Sequence, residues 1–281
     1  MHCRPAPGIG LRLWIMAGAV LAFGGAIALA KEKAVKLGLA LPAGKVLHYK
    51  VEMQQESDFR GMTMALNQTS AVEMSRADST KDGKARIALK FSKIEISMMR
   101  GDEIVPYEPE LNLEGQTLLA VLSARGEIVD AEPRGILSGW GEEAKRSLMQ
   151  VAQNLCVYSP GKPVEPGATW TLDLLQPAPA PGKGEPALKG TVEYTLEEIG
   201  KQDGVPAATI LGKRQAQIRA ETPRGSMSGE STGNLEMRVA VDGGWVLESK
   251  LSGQVTGTIR STTGEERKLG QVLKIECKLQ P

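Results

Sequence analysis

The sequence predicts a mainly β protein, a long twisted antiparallel sheet or half-barrel with one amphipathic helix packed on it. Most of the chain alternates apolar and polar residues with period two, as half-buried strands do. The polar set of each alternation is charged or amide-bearing, the mark of a sheet with one wet face. One segment, 136–156, instead repeats its apolar residues at steps of three and four.

In the first strand Leu47, Tyr49, Val51 and Met53 face one way, and His48, Lys50, Glu52 and Gln54 the other. Ile87, Leu89 and Phe91 repeat the pattern; the parity then slips to Ile94, Ile96 and Met98, which predicts a bulge or bend near Ser92-Lys93. A short apolar run, Thr117 to Leu122, followed by Arg125-Gly126 and Glu127 to Val129, reads as a hairpin. The helix 136–156 carries Ile136, Trp140, Ala144, Leu148, Val151, Ala152 and Leu155 on one face and is ended by Pro160-Gly161. Residues 176–186 are rich in Pro and Gly and read as an exposed loop. Leu235, Met237, Val239 and Val241 lead into the turn Asp242-Gly243-Gly244, after which Trp245, Leu247 and Leu251 continue the apolar side. Leu273, Ile275, Cys277 and Leu279 form the last strand.

The two sides of the helix echo each other. Leu41-Pro42-Ala43-Gly44 opens one strand as Val164-Glu165-Pro166-Gly167 opens another, and Val72-Glu73-Met74 precedes Asp82-Gly83 much as Val192-Glu193-Tyr194 precedes Asp203-Gly204. A duplicated meander, with halves 31–135 and 162–281 joined by helix 136–156, would produce this; so would the common chemistry of Asp-Gly hairpins.

Residues 1–30 read as a signal peptide. Arg4 and Arg12 precede an uncharged run, 13–30, and Ala28-Leu29-Ala30 places small residues where a signal peptidase cleaves. The expectation is export to the periplasm or medium after cleavage near Ala30, with residues 31–281 as the mature β-rich domain. If the segment were kept, it would be the chain's membrane attachment.

Composition removes several classes. The 34 basic against 33 acidic residues leave no cationic field for nucleic acid, and 4% aromatics give bases or sugars little to stack on. Loss of Arg4 and Arg12 leaves 32 basic against 33 acidic residues, a net charge of −1. The mature chain keeps a single histidine, His48, and two cysteines, Cys156 and Cys277. In an oxidising compartment these two either pair, closing a loop that adds up to ~4–5 kcal/mol by loop entropy, or stand as separate buried thiols.

The sequence contains no nucleophile elbow, phosphate-binding loop, dinucleotide glycine signature or metal-ligand spacing. Gly225-Ser226-Met227-Ser228-Gly229 puts Met where a nucleophile would stand, and Ser159-Pro160-Gly161-Lys162 is a turn rather than a helical Ser-x-x-Lys. Adjacent carboxylates at Glu142-Glu143, Glu197-Glu198 and Glu265-Glu266 do not converge if they lie along one helix or strand. The expectation is a noncatalytic protein without metal or cofactor.

At Lys162-Pro163-Val164-Glu165-Pro166-Gly167-Ala168-Thr169-Trp170 the chain resembles an uncharacterised class of secreted bacterial β-rich domains, in which a Pro-Val-x-x-Gly-x-x-Trp turn starts the second sheet segment. Gly44 to Tyr49 matches the Gly-x-x-x-x-Tyr strand that opens the first. The likeness spans most of residues 41–281. In architecture the expected sheet and helix also resemble the half-barrels of periplasmic lipoprotein carriers, which implies a lipid-binding envelope protein but transfers no site residue.

Three function classes follow. In the first, an apolar ligand such as a lipid or acylated peptide lies in the sheet concavity against Leu47, Tyr49, Val51, Met53, Met62, Met64, Ile87, Leu89 and Phe91; the methionines suit varied apolar partners. The competing reading of the same residues is core packing. In the second class the protein pairs a strand edge or its Pro-rich loop with another envelope protein. A carboxylate-based hydrolase is the third.

Overall fold

Alternation interrupted only by single-residue bulges builds strands of 14 to 18 residues through most of the sheet. The computed structural model describes residues 34–59, 62–81, 84–106, 114–134, 149, 152–176, 188–222 and 225–281. These all fall in one unit, Glu32–Pro281. The expected signal segment, 1–30, lies outside them. The strands are β1 Val46–Phe59, β2 Met62–Ala77, β3 Arg86–Arg100, β4 Glu103–Val105, β5 Thr117–Leu122 and β6 Ile128–Arg134, then β7 Thr169–Gln176, β8 Leu188–Gln202, β9 Val205–Thr222, β10 Gly225–Ala240, β11 Val246–Ser261 and β12 Glu266–Leu279.

All twelve join one antiparallel sheet in the order β6-β5-β3-β2-β1-β12-β11-β10-β9-β8-β7, with β4 paired to β3. The chain meanders outward from β1 to β6, restarts at the opposite edge with β7 and returns inward to β12. First and last strands therefore lie side by side at the centre, with Tyr49 opposite Leu279 and Asp58 opposite Gly270. The parity slip in β3 is a bulge: the register with β2 breaks between Thr69 and Ala71, and Lys93 takes φ 50°. The hairpin at Arg125-Gly126 joins β5 to β6. Pro42 to Lys45 and Glu165 to Ala168 are both closed by a backbone hydrogen bond from the fourth residue to the first, with Gly44 and Gly167 at φ 78° and 85°. Each is a type II turn that only glycine fits comfortably, and each leads into a strand.

The Asp242-Gly243-Gly244 turn joins β10 to β11, but the side chains beyond it differ from the expected set. A bulge between Arg238 and Val239 pairs Val239 with Val246, so Val246 enters the main core while Leu247 packs with Ala207 and Ala240 in a small separate cluster. Of the helix expected over 136–156, Met149, Ala152 and Gln153 are helical; 135–148, 150 and 151 lie outside the described residues, as does 177–187, which holds most of the Pro-rich loop.

Among the described residues one face of the sheet carries the main core cluster, near one end of the strands. Two straps cover it there. The first, 34–41, contributes Val35, Leu37 and Leu41; the second, 152–164, contributes Ala152, Leu155, Val157 and Val164. They are tied to each other by paired backbone bonds between Val35 and Val164. The Tyr49 hydroxyl donates to the Val246 carbonyl at 2.8 Å and the Trp170 indole N–H to the Tyr158 carbonyl at 2.9 Å. Large aromatic bodies are thus buried with their polar ends satisfied.

Glycines face one another across two strands in the C-terminal part of the sheet. Gly229 faces Gly257 and Gly233 faces Gly253 across β10 and β11. A Cβ on Gly229 would lie 2.3 Å from the Thr256 carbonyl oxygen, and one on Gly257 2.3 Å from that of Ser228. Such backbone approach is closed to any other residue. We therefore expect Gly229→Ala to cost about 1–3 kcal/mol of unfolding free energy. Gly270→Ala, where a Cβ meets nothing within 4 Å, should stay within about 0.5 kcal/mol of wild type. Urea unfolding of the two variants tests this; equal midpoints would contradict the close approach.

Candidate functional site

Beyond the straps, the core face of the sheet continues as an apolar surface. Directly opposed residues of antiparallel strands share a face, and the register links Leu235 to Leu251, Leu251 to Ile275, and Ile275 to Met53. The next row on the same face runs Arg214, Gly233, Gly253, Leu273, Gln55, Leu66 and Met98. All the apolar members of these rows are half-buried. Leu235 and Ile275 border the main core, whereas Met53, Leu66, Met98, Leu251 and Leu273 belong to no core cluster among the described residues.

Arg214 is the one ionisable residue in its row. Its Nε is sealed from solvent and has no hydrogen-bond partner among the described residues. Burial lowers its pKa, and the neighbouring Tyr194 pulls the other way. Tyr194 itself stacks on Trp170, ring centres 5.7 Å apart.

The nine residues singled out as ligand-facing divide along this boundary. Leu47, Tyr49, Val51, Ile87, Leu89 and Phe91 are all 5% exposed or less and sit in the main core beneath the straps. They occupy the covered end of their strands, where an inward side chain meets protein. Met53 and Met64 lie past the core on the same face, half-buried; the side chain of Met62 lies outside the described residues. The residues that continue their surface on β10, β11 and β12 were not among the nine. The signal was present in the alternation of Leu251, Leu273 and Ile275, but nothing in the sequence says where a covered face ends.

The opposite face is polar and holds a groove that sequence reading missed. A cavity of about 500 Å³ crosses β9 to β12 and β1, between the row Lys213, Asn234, Ser252, Lys274 and Gln54 and the row Leu211, Glu236, Lys250, Glu276 and Glu52. Its ion pairs are local: Arg238 bonds Glu236 and Glu248, Lys250 bonds Glu248, and Lys50 pairs with Glu52. These exposed pairs contribute little stability each.

The remaining candidates fall apart in space. Cys156 and Cys277 are free, buried thiols near Tyr49 rather than a disulfide. Burial pushes Cys156 up to about 12 and Cys277 to about 11, the latter eased by a hydrogen bond with Ser249. His48 is exposed on the polar face, opposite Glu73. Glu265 and Glu266 pair with Arg267 and Arg260 at a hairpin. Glu198 accepts a hydrogen bond from Thr209, and Glu142-Glu143 lies outside the described residues. The Ser159 hydroxyl accepts from the Gly161 N–H within the expected turn.

No protein-family model matches the chain, and no curated protein does. Among solved structures it is similar to one of lipid–protein interactions in lipovitellin, with a TM-score of 0.57 and 12% identity over 86% of this chain. The match covers 25% of the lipovitellin chain, so this protein spans about a quarter of that length. At such identity the likeness is one of fold: a large antiparallel β-sheet.

The buried acids make stability sensitive to alkali. Cys156, Cys277, Tyr49 and Tyr194 all have raised pKa values, chiefly through burial, Tyr194 to about 12. Groups protonated more tightly in the folded state stabilise it fully below their unfolded values, about 8.5 for Cys and 10 for Tyr, and that contribution is lost as pH rises through the folded values. The urea midpoint should fall progressively above about pH 9. Neither thiol should react with a thiol reagent at pH 8 until denaturant is added. A midpoint flat to pH 11, or rapid labelling of the native protein, would contradict this.

Proposed function

We propose that the protein is an exported, noncatalytic binding protein of the cell envelope that holds an acyl-type apolar ligand on the open half of the apolar sheet face. The observation that carries this is the half-buried row Leu235, Leu251, Ile275 and Met53, which continues the core face past the straps. The row borders the main core at Leu235 and Ile275 and leaves every core cluster of the described residues at Leu251 and Met53, and apolar surface left outside a core marks an interaction site. The likeness to the lipovitellin sheet, a structure of lipid–protein interactions, supports the lipid reading. Export rests on Arg4, Arg12, the uncharged run 13–30 and Ala28-Leu29-Ala30. Flexible thioethers at Met53, Met64 and Met98 would let the surface accept chains of differing shape.

A second reading has its own observation. The sheet is open, and β6 and β7 are its edges, so a partner strand could extend it.

Native mass spectrometry of the mature protein from its own envelope, followed by denaturing extraction, separates the two. We expect a stoichiometric acyl species that leaves only on denaturation. Leu251→Asp should lower its occupancy about tenfold or more, since it removes a Leu contact and introduces a charge that binding must desolvate, with little change in melting temperature. If the protein flies bare, and added lipids neither bind nor raise its melting temperature, the acyl reading fails and the edges become the place to look.

A further inference from the structure

Resting on the apolar-face reading, we infer that the ligand is a long-chain monocarboxylate and that Arg214 takes its head group. Arg214 stands at the margin of the main core cluster, with Val192 opposite on β8 and Gly233 opposite on β10. Val192 is buried in the core, whereas Arg214 is half-buried. Its Nε reaches neither solvent nor an acceptor among the described residues. Among the described residues no carboxylate acts on it, and its electrostatic neighbour is the neutral Tyr194 phenol.

An uncompensated cation in such a position is costly, and a bound anion would compensate it. The geometry beside it suits a ligand. Gly233 and Gly253 leave the next two strands of the row without side chains, so the guanidinium borders a strip of bare backbone leading to Leu273. A head placed at Arg214 would lay its chain toward Leu251, Leu273 and Met53. The guanidinium fork matches a carboxylate with two parallel N–H donors, and one positive charge is balanced by one negative. The same charge selects against a ligand with a cationic head.

The test uses the full-length protein stripped of lipid, with oleate and oleyl alcohol as probes: the same chain with a charged and an uncharged head. Oleate should bind about tenfold or more tighter, the size of one hydrogen bond to a charged group. Arg214→Gln should bring oleate down to the alcohol's affinity and leave the alcohol unchanged. Arg214→Lys, which keeps the charge without the fork, should retain only part of the preference. Equal binding of both probes by the wild type, or a preference that survives Arg214→Gln, overturns the assignment while leaving the apolar face as a site. Binding of neither probe overturns the apolar-face reading itself. Should Arg214→Gln fail to fold, an undiminished preference in Arg214→Lys overturns the assignment.

Discussion

The structure depends on a mismatch of length. Strands of 14 to 18 residues run through most of the sheet, which at ~3.3 Å per residue is about 45–60 Å. The straps that cover their apolar face, 34–41 and 152–164, seal one end. The same alternation that supplies Tyr49 and Val51 to the core must therefore continue to Met53 with less to pack against. The open apolar half follows directly from strands longer than their cover.

The covered end is closed by the apolar side chains of the straps together with a set of polar ties. The second strap is held from several elements at once. Arg125 in the β5–β6 hairpin donates to the Ser159 carbonyl and lies over the Tyr158 ring, Ser249 of β11 donates to the Asn154 carbonyl, and Trp170 of β7 donates to the Tyr158 carbonyl. These anchors come from both outer parts of the sheet and from its interior. A single strap thus links the β5–β6 side to the β7 side, across edges that do not pair with each other. The free Cys156 and Cys277 fit this account, since a seal made by packing and hydrogen bonds holds without a cross-link.

Local patterns were legible in the sequence to the extent that they were local. Period-two alternation identified the strands, and the parity slip from Phe91 to Ile94 located the bulge within a residue of Lys93. The turns at Gly44, Gly167 and Gly243-Gly244 were readable because left-handed backbone needs glycine. Side-chain direction after the Asp242 turn was not, because a one-residue bulge at Arg238-Val239 exchanges which residues face inward. Nor could the sequence divide the nine ligand-facing candidates into core and open surface. Phe91 and Met53 have the same parity and are both apolar, and only the reach of the two straps, 34–41 and 152–164, separates them. Arg214 was passed over for a similar reason. A cation beside Lys213 in a polar stretch reads as solvent-facing until the register sets it opposite Val192 and Gly233.

The two sides of the open half make different contributions. On β10 and β11 the facing glycines Gly229 and Gly257 let neighbouring backbones approach too closely for a side chain, and Gly233 and Gly253 leave the surface without side chains beside Arg214. On β1 to β3 the same face is furnished with Met53, Met64, Met98 and Leu66, long side chains that fill space adaptably. A glycine strip and a fixed charge therefore lie on the C-terminal side, adaptable methionine surface on the N-terminal side, and the adjacency of β1 and β12 joins them. A sheet with its chain ends at the edges would place these features at opposite extremes. Bringing the first and last strands together at the centre is what makes the glycine strip and the methionine surface one continuous face.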